Sequence, residues 1–579
     1  MASNGRIAHD LDEIADLLEL EGANPFRVRA YRNAARTVRD HPQPLRDMAR
    51  QGEDLRALKG IGNDIAAQIA AKLEGGEMDA LLELRERVPT GLLEVTRVQG
   101  VGPKRARRLH AELGVDGLDA LERAARDGRI AALSGFGPTS QAKILDGVAS
   151  ARQAATRRRR AVAARALAPL LAWLHDAPAT ERVEVGGSFR RGRDTVRDLD
   201  LLAVSDAPEA VMAHVRDYEE VETVLAAGPD KTRLVLVGGL QVDLRVVPEA
   251  SFGAAWIYFT GSKAHNVRLR GRAGEMGASL NEYGLHASDG EAPAADARDE
   301  AAVYAALGLA WVPPELREDR GEIEAAAEGT LPELIEVGDL RSDLHLHTDW
   351  SDGRDALGTM LQAAGDRGLR AVAVTDHSPA LAMTGGLDRA KLERQWQALD
   401  ELEPVASGLE VLRGMEVDVL ADGSLDMDDD MLDRMDVVIA SVHGRLDLPE
   451  AEQTRRVLRA LAHPAVNVLG HPTGRMLGRR EGMALDLDAV TRAAQRYGVA
   501  LEINANPARL DLDDVWARRA RQVGAWIAVN TDAHAAADLD LAEHGVLQAR
   551  RAWLRAEDVI NTWPLPRLRR FLAKQDVRD

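Results

Sequence analysis

From Ser342 onward the chain alternates short apolar runs with helix-patterned segments, and this alternation narrows the possible folds more than any other feature. The runs read "AVAVTDH", "LEVLRGMEVDV", "VVIASVHG", "VNVLGHP", "VALEINAN" and "WIAVNTDAH". Strand and helix alternating over roughly 240 residues predict a parallel, barrel-like β/α domain, in which the carboxyl ends of the strands form the active face. Histidines stand at or just past those ends: His345 and His347 in "DLHLH", then His377, His443, His471 and His534. Asp352, Glu416 and Asp532 accompany them. Residues repeating at strand ends converge in space, and a chain without cysteine can hold a metal only through nitrogen and oxygen. His463 and His544, in helical context, read as ordinary hydrogen-bonded residues, and Asp343 and Asp349 as cap or surface residues.

A chain of 579 residues exceeds one hydrophobic core, so several domains are expected. Its longest apolar stretches, such as "LAPLLAWL", fall short of the ~20 residues of a membrane span. The amphipathic start "MASNGRIAHDLDEIADLLELEG" does not resemble a signal peptide, which predicts a cytoplasmic protein with no membrane partner. The net charge of −19 confines any nucleic-acid contact to local basic clusters such as "PKRARRLH" and "TRRRRAV".

The first ~150 residues carry helical periodicity broken by three similar turns, at Gly60 and Gly62, Gly100 and Gly102, and Gly135 and Gly137. In each, Gly-x-Gly opens a helix whose first amides point outward into a phosphate-sized cradle, and Lys104 and Arg105 follow the second turn. From about Arg182 to Pro248 the pattern becomes β-rich, predicting a mixed α/β sheet. There Asp198 and Asp200 share one face of a strand, and Asp243 lies in another alternating strand. Like charges so placed call for a divalent cation. Helical and loop sequence continues to about Glu318, and "AEGTLPELIEVGDLR" reads as a connector without sustained periodicity.

"GGSFRRG" with "DLDLL" and "VDLR", followed by "YFTGSKAHNVRLR" and the histidine series, resembles the bacterial X-family DNA polymerases, relatives of polymerase beta that carry a C-terminal PHP (polymerase and histidinol phosphatase) domain. The resemblance implies a multidomain α/β chain: helix-hairpin-helix units at 1–90 and 91–155, a nucleotidyltransferase palm at 156–250, a thumb at 251–320, a linker at 321–341 and a distorted β/α barrel at 342–579. It further implies that Asp198, Asp200 and Asp243 bind two Mg²⁺ or Mn²⁺ ions, with Asp243 orienting the primer hydroxyl. Gly187, Ser188 and Arg191 would hold the triphosphate; Tyr258, Phe259 and Gly261 would line the sugar pocket; and Asn266 would reach the base. Arg245 and Arg270 would lie on DNA, and Tyr31 and Arg32 near a 5′-phosphate. The nine histidine-series residues would bind about three manganese, zinc or iron ions.

The implied protein is a nucleoid-associated monomer that acts on gapped or nicked DNA with dNTPs. It fills short gaps in base excision repair and processes 3′ ends or abasic sites with the PHP domain. Two alternatives are a metal phosphoesterase whose polymerase half presents DNA, and a non-catalytic DNA-binding scaffold. One departure matters. Where relatives of polymerase beta use a Schiff-base lysine, this chain has Gln68, with Asp64 a turn before and Lys72 a turn later. An amide cannot form that bond, so lyase activity by this route is not expected.

Overall fold

The computed structural model describes residues 2–575 apart from 42, 99, 156, 178, 288–295 and 403–407. Up to residue 155 every described element is helical, and one apolar cluster runs from Ile7 to Val148, so the two expected hairpin units share a core.

A five-stranded mixed sheet follows, in the spatial order Thr180–Val185, Asp198–Ser205, Leu240–Val247, Lys231–Leu236 and Val221–Ala227. Alternation sends Leu199 and Leu201 into a core shared with Leu167 and Leu170 of helix Arg160–His175. The other face is covered by helix Phe252–Thr260 only from Leu202 onward, which leaves Asp198 and Asp200 half-buried at the strand's start.

The expected linker, 321–341, opens with a short helix. Residues Glu322–Glu328 form a helix bounded by left-handed Gly321 and Gly329, and Ile323 and Ala326 join the core of the thumb region. Seven residues are too few to display a period. The first acid, Glu322, is fully buried, 2.7 Å from His265 Nδ1 and accepting from the Asp319 and Arg320 amides.

The C-terminal region is a seven-stranded parallel sheet in strict chain order: Ser342–Leu346, Ala371–Val374, Glu410–Asp418, Val437–Ser441, Val468–Leu469, Ala500–Asn504 and Ile527–Asn530. A parallel bridge between Leu346 and Ala533 brings the two edges together, making a nearly closed barrel. Trp563 and Phe571 pack against the strand starts at Ala371, Val437, Val468 and Ala500, which fills one end and leaves the histidine-bearing end for chemistry. Among the described residues no helix is long and apolar enough to cross a membrane.

Candidate functional site

The strand ends of the barrel bring all nine histidine-series residues together. Three groups have donor atoms within 4.8 Å of one another: His347, Asp352, His377 and His534; His345, His347 and Asp532; and His377, Glu416 and His443. His347 and His377 each belong to two groups, so the groups form one continuous centre. His471 joins it through Nε2, 2.9 Å from Glu416 Oε1. His471 and Asp532 hold positive φ, +26° and +53°, a conformation that side-chain-bearing residues keep only where their surroundings enforce it.

The donor set fits divalent cations. His345 Nε2, both nitrogens of His347, His377 Nδ1 and His471 Nδ1 are buried without a hydrogen-bond partner, a costly arrangement that ligation would relieve. Burial opposes charge on His377, but Glu416 and Asp352 outweigh it and push its pKa up to about 10. His443 and His534 are raised to about 9 against the same desolvation, chiefly by Glu416 for the first and Asp352 for the second. His347 goes the other way, to about 4, because burial is reinforced by His534 and His377 beside it. Glu416 and Asp532, although buried, are held well below the usual carboxylate range by the surrounding imidazoles.

Behind this centre stand residues that the sequence reading did not assign. Glu502, fully buried in strand Ala500–Asn504, lies 2.8 Å from His345 Nδ1 and accepts from the His471 amide at 2.7 Å and from Asn530 Nδ2 at 2.9 Å. Asp418 lies 3.2 Å from His443 Nδ1. Asp376 ties together Thr348, Ser351 and Gln395 beneath the Asp352 loop. Such carboxylates fix imidazole tautomer and ring orientation. Asp343 also needs correction. It is buried, with its pKa raised to about 6 by desolvation, and it accepts from Thr531 and the His345 amide, so it is an internal strut. Asp349 is exposed, as expected.

In the mixed sheet, parallel register sets Asp200 directly opposite Asp243. Burial, then Asp198 and Asp243, raise the Asp200 pKa to about 7, which marks a site short of positive charge. Arg197 reaches Asp198 at 3.0 Å and Arg233 reaches Asp243 at 2.5 Å, both from exposed positions. Gly187, at φ +58°, lets the preceding turn press against this site: a Cβ there would fall 1.9 Å from Asp200 Oδ2. Arg191 differs from expectation. Its guanidinium is 13% exposed and committed to Glu318 at 3.1 Å and to the Thr260 carbonyl, so it is not free to take a triphosphate in this arrangement. Arg190 is likewise bound to Glu300, which also pairs with buried Arg317.

Around the expected sugar pocket, Tyr258 and Phe259 meet edge to face at 5.0 Å, and Arg245 stacks over Phe259 at 4.7 Å. Asn266 donates to the Tyr258 carbonyl at 2.7 Å, leaving its Oδ1 buried without a partner. Gly186, just before the helix Gly187–Arg190 that carries Ser188, comes close to the Phe259 backbone, Gly261 follows helix Phe252–Thr260, and Arg270 lies exposed one turn beyond Asn266.

The three hairpin turns are conformational copies. Gly60, Gly100 and Gly135 hold φ of +83°, +82° and +76°. Gly62 and Gly102 cap helices Asn63–Leu73 and Pro103–Leu113 with no side chain on the first amides, which leaves those donors facing outward. Gly137 precedes the third helix in the same position, and Lys104 and Arg105 are exposed beside the second turn. Tyr31 is a correction: at 4% exposure it is packed into the helical core and presents little surface to DNA. Arg32 is exposed but paired with Asp16 and Glu19. Lys72 is buried and paired with Asp10 at 2.9 Å and Glu77 at 2.8 Å.

Comparison with known proteins agrees with this anatomy. Residues 2–78 match the helix-hairpin-helix domain, 92–149 the SAM-like helix-hairpin-helix tandem, 255–318 the DNA polymerase beta thumb and 343–506 the PHP domain. That combination defines a polymerase-beta-like chain fused to a PHP barrel. Over 569 residues it is 36% identical to the DNA polymerase/3'-5' exonuclease PolX of Bacillus subtilis (strain 168), covering 98% of each protein, and the chain belongs to the PolX family. The barrel alone is similar to probable phosphatases. One, from Thermoanaerobacter sp. (strain X514), is 29% identical over 235 residues, 38% of this chain and 89% of that protein. Another, YcdX of Escherichia coli O139:H28, is 30% identical over 206 residues, 34% of this chain and 78% of that protein.

Proposed function

We propose that the chain fills short gaps in DNA with dNTPs at the Asp198, Asp200 and Asp243 site and removes nucleotides or blocking phosphates from 3′ ends at the barrel site, as a monomer working in DNA repair at the nucleoid. The observation that carries this reading is the convergence of eight nitrogen- and oxygen-bearing side chains into three overlapping donor groups, with His471 beside Glu416 as a ninth, at the strand ends of a barrel fused to a polymerase-type sheet.

Mg²⁺ or Mn²⁺ at the aspartates, and about three manganese, zinc or iron ions in the barrel, would supply Lewis acidity to phosphoryl oxygens and a nucleophile from water at neutral pH. The chain's own groups do the rest. Asp243, facing Asp200 across the ladder, orients the primer hydroxyl and draws off its proton. The hairpin turns hold the DNA backbone through main-chain amides, so binding is independent of sequence and compatible with an acidic protein. In the barrel, Glu502 and Asp418 keep His345 and His443 oriented, and the buried walls exclude bulk water. The similarity of the barrel to probable phosphatases supports 3′-phosphate removal as one of its reactions.

Two assays on one preparation test the reading. Asp243→Asn is expected to cut extension across a one-nucleotide gap by roughly 10²- to 10⁴-fold while leaving shortening of a 5′-labelled primer intact. His345→Ala combined with His347→Ala is expected to do the reverse. Equal extension by wild type and Asp243→Asn, or unchanged shortening by the double histidine variant, would sink the corresponding half.

A further inference from the structure

Helix Ala542–Arg551 of the barrel lays one face against the polymerase half, on the two segments that flank Arg191. Leu547 presses on Gly192 so closely that a Cβ there would come within 2.7 Å. Gln548 Nε2, with its amide turned to satisfy both neighbours, donates to Asp194 Oδ1 at 3.0 Å, and Arg550 Nε donates to Glu315 Oε1 at 2.8 Å. Arg551 ends the helix and is 1% exposed. Its Nη1 donates to the main-chain carbonyl of Arg191 at 2.6 Å and lies 3.3 Å from Glu318 Oε1, while Nη2 donates to Asp514 Oδ2 at 2.9 Å.

Glu318 thus stands between two guanidiniums, because the same Oε1 accepts from Arg191 Nε at 3.1 Å. Burial opposes its charge, but Arg191, Arg551 and Arg193 outweigh it and hold the carboxyl below its usual range. Arg193 is the most distant of the three, at 4.0 Å, and is 39% exposed. On its other side Arg191 faces the acids of the mixed sheet. A Cβ on Gly261 would meet its Nη1 at 3.3 Å, and its charge acts on Asp200. A triphosphate brought with its cation to Asp198 and Asp200 therefore competes with Glu318 for this guanidinium. A buried carboxylate stripped of its close cation is costly, whereas one that retains a second close cation is not.

We propose that Arg551, a residue of the barrel, is the counter-cation that lets Glu318 release Arg191 to the triphosphate of an incoming deoxynucleotide. The bond from Arg551 to the Arg191 carbonyl holds the turn in place while the side chain changes partner. Arg191 touches substrate in this account, and Glu318 and Arg551 are positioning residues. The barrel then serves nucleotide binding as well as its own site. The inference rests on the reading of the mixed sheet as a polymerase site.

The test uses the full-length protein, with the thermal midpoint measured for every variant. Affinity for dCTP is titrated with Ca²⁺ in place of Mg²⁺, and KM and kcat come from filling a one-nucleotide gap. Arg551→Met is expected to weaken dCTP binding and raise KM by about 10-fold, with a smaller change in kcat. Glu318→Gln is expected to do the opposite, tightening dCTP binding by about 3- to 10-fold, because the competing charge is gone. The double variant is expected to recover at least wild-type affinity, a rescue that a merely structural Arg551 would not give. Wild-type affinity in a folded Arg551→Met protein, or a double variant as weak as Arg551→Met, would overturn the role of Arg551. Glu318→Gln binding no tighter than wild type would overturn the competition itself, and this comparison decides the matter if Arg551→Met does not fold. If wild type fills no gap, the reading of the polymerase half falls separately, and the dCTP titrations still decide the proposal.

Discussion

The two acid-bearing centres of this chain are built on opposite plans. In the mixed sheet, Asp198, Asp200 and Asp243 stand where the covering helix has not yet begun, half-buried, with Arg197 and Arg233 reaching in from the surface. In the barrel, His345 and His347 are fully buried, six imidazoles share the centre with Asp352, Glu416 and Asp532, and a further layer holding Glu502, Asp418 and Asp376 sets their orientation. A few partly hydrated carboxylates suit Mg²⁺, which keeps its waters and arrives with substrate phosphates. A closed, imidazole-rich cage suits transition metals held before any DNA arrives. The difference predicts a polymerase half that shares its ions with the nucleotide and a barrel that keeps its own.

The sharpest way to break this contrast is through the layer behind the ligands. Glu502→Gln keeps size and most hydrogen bonds but removes the charge facing His345 Nδ1. It is expected to lower barrel metal affinity by about 10- to 100-fold, read by competition with a chelator, and to leave gap filling with Mg²⁺ unaffected. An equal loss in both activities would mean that the two centres are not independently built.

A smaller effect is expected from pH. In the metal-free barrel, His377, His443 and His534 have folded pKa values of about 10, 9 and 9, above the ~6.5 of an unfolded histidine. Protonated, they stabilise the fold by facing Glu416, Asp352 and Asp532. That contribution is complete below pH ~6.5 and is lost as pH rises through 9 to 10. The metal-stripped protein is therefore expected to lose several degrees of barrel Tm over this window, and the loaded protein to lose much less, because cations replace the protons. Coincident profiles for the two forms would remove the electrostatic basis of the cage.

The smallest expected effect is none at all. Ion pairs with Asp10 and Glu77 outweigh the burial of Lys72 and keep its amine protonated, with its pKa above the usual lysine value, and Gln68 Oε1 accepts from the Ala80 amide. Borohydride trapping on DNA with a 5′-deoxyribose phosphate should give no adduct at Lys72. An adduct lost in Lys72→Ala would show that the hairpin unit carries chemistry of its own.

Much of this was legible in the sequence, for reasons that also explain what was not. Strand alternation with polar residues at or just past the strand ends announced the barrel and most of its candidate ligands, because the apolar runs beside them must be buried, whereas Asp352 stands in a loop. The i, i+2 aspartates were legible by the same periodicity, and the hairpins by their glycines. Glu502 was hidden because it lies inside a strand; the signal that marks it is an acid at an inward position of an otherwise apolar run, "ALEIN". The commitment of Arg191 to Glu318 and the burial of Tyr31 depend on contacts between distant segments, which periodicity does not report.

Metal analysis after exhaustive dialysis is the most direct test of the division between a site that owns its ions and one that shares them. Wild-type protein and Asp198→Asn with Asp200→Asn are both expected to retain transition metal in an amount matching the three donor groups, and His345→Ala with His347→Ala to lose most of it. Full retention by the histidine variant, or a matching loss in the aspartate variant, would overturn that division.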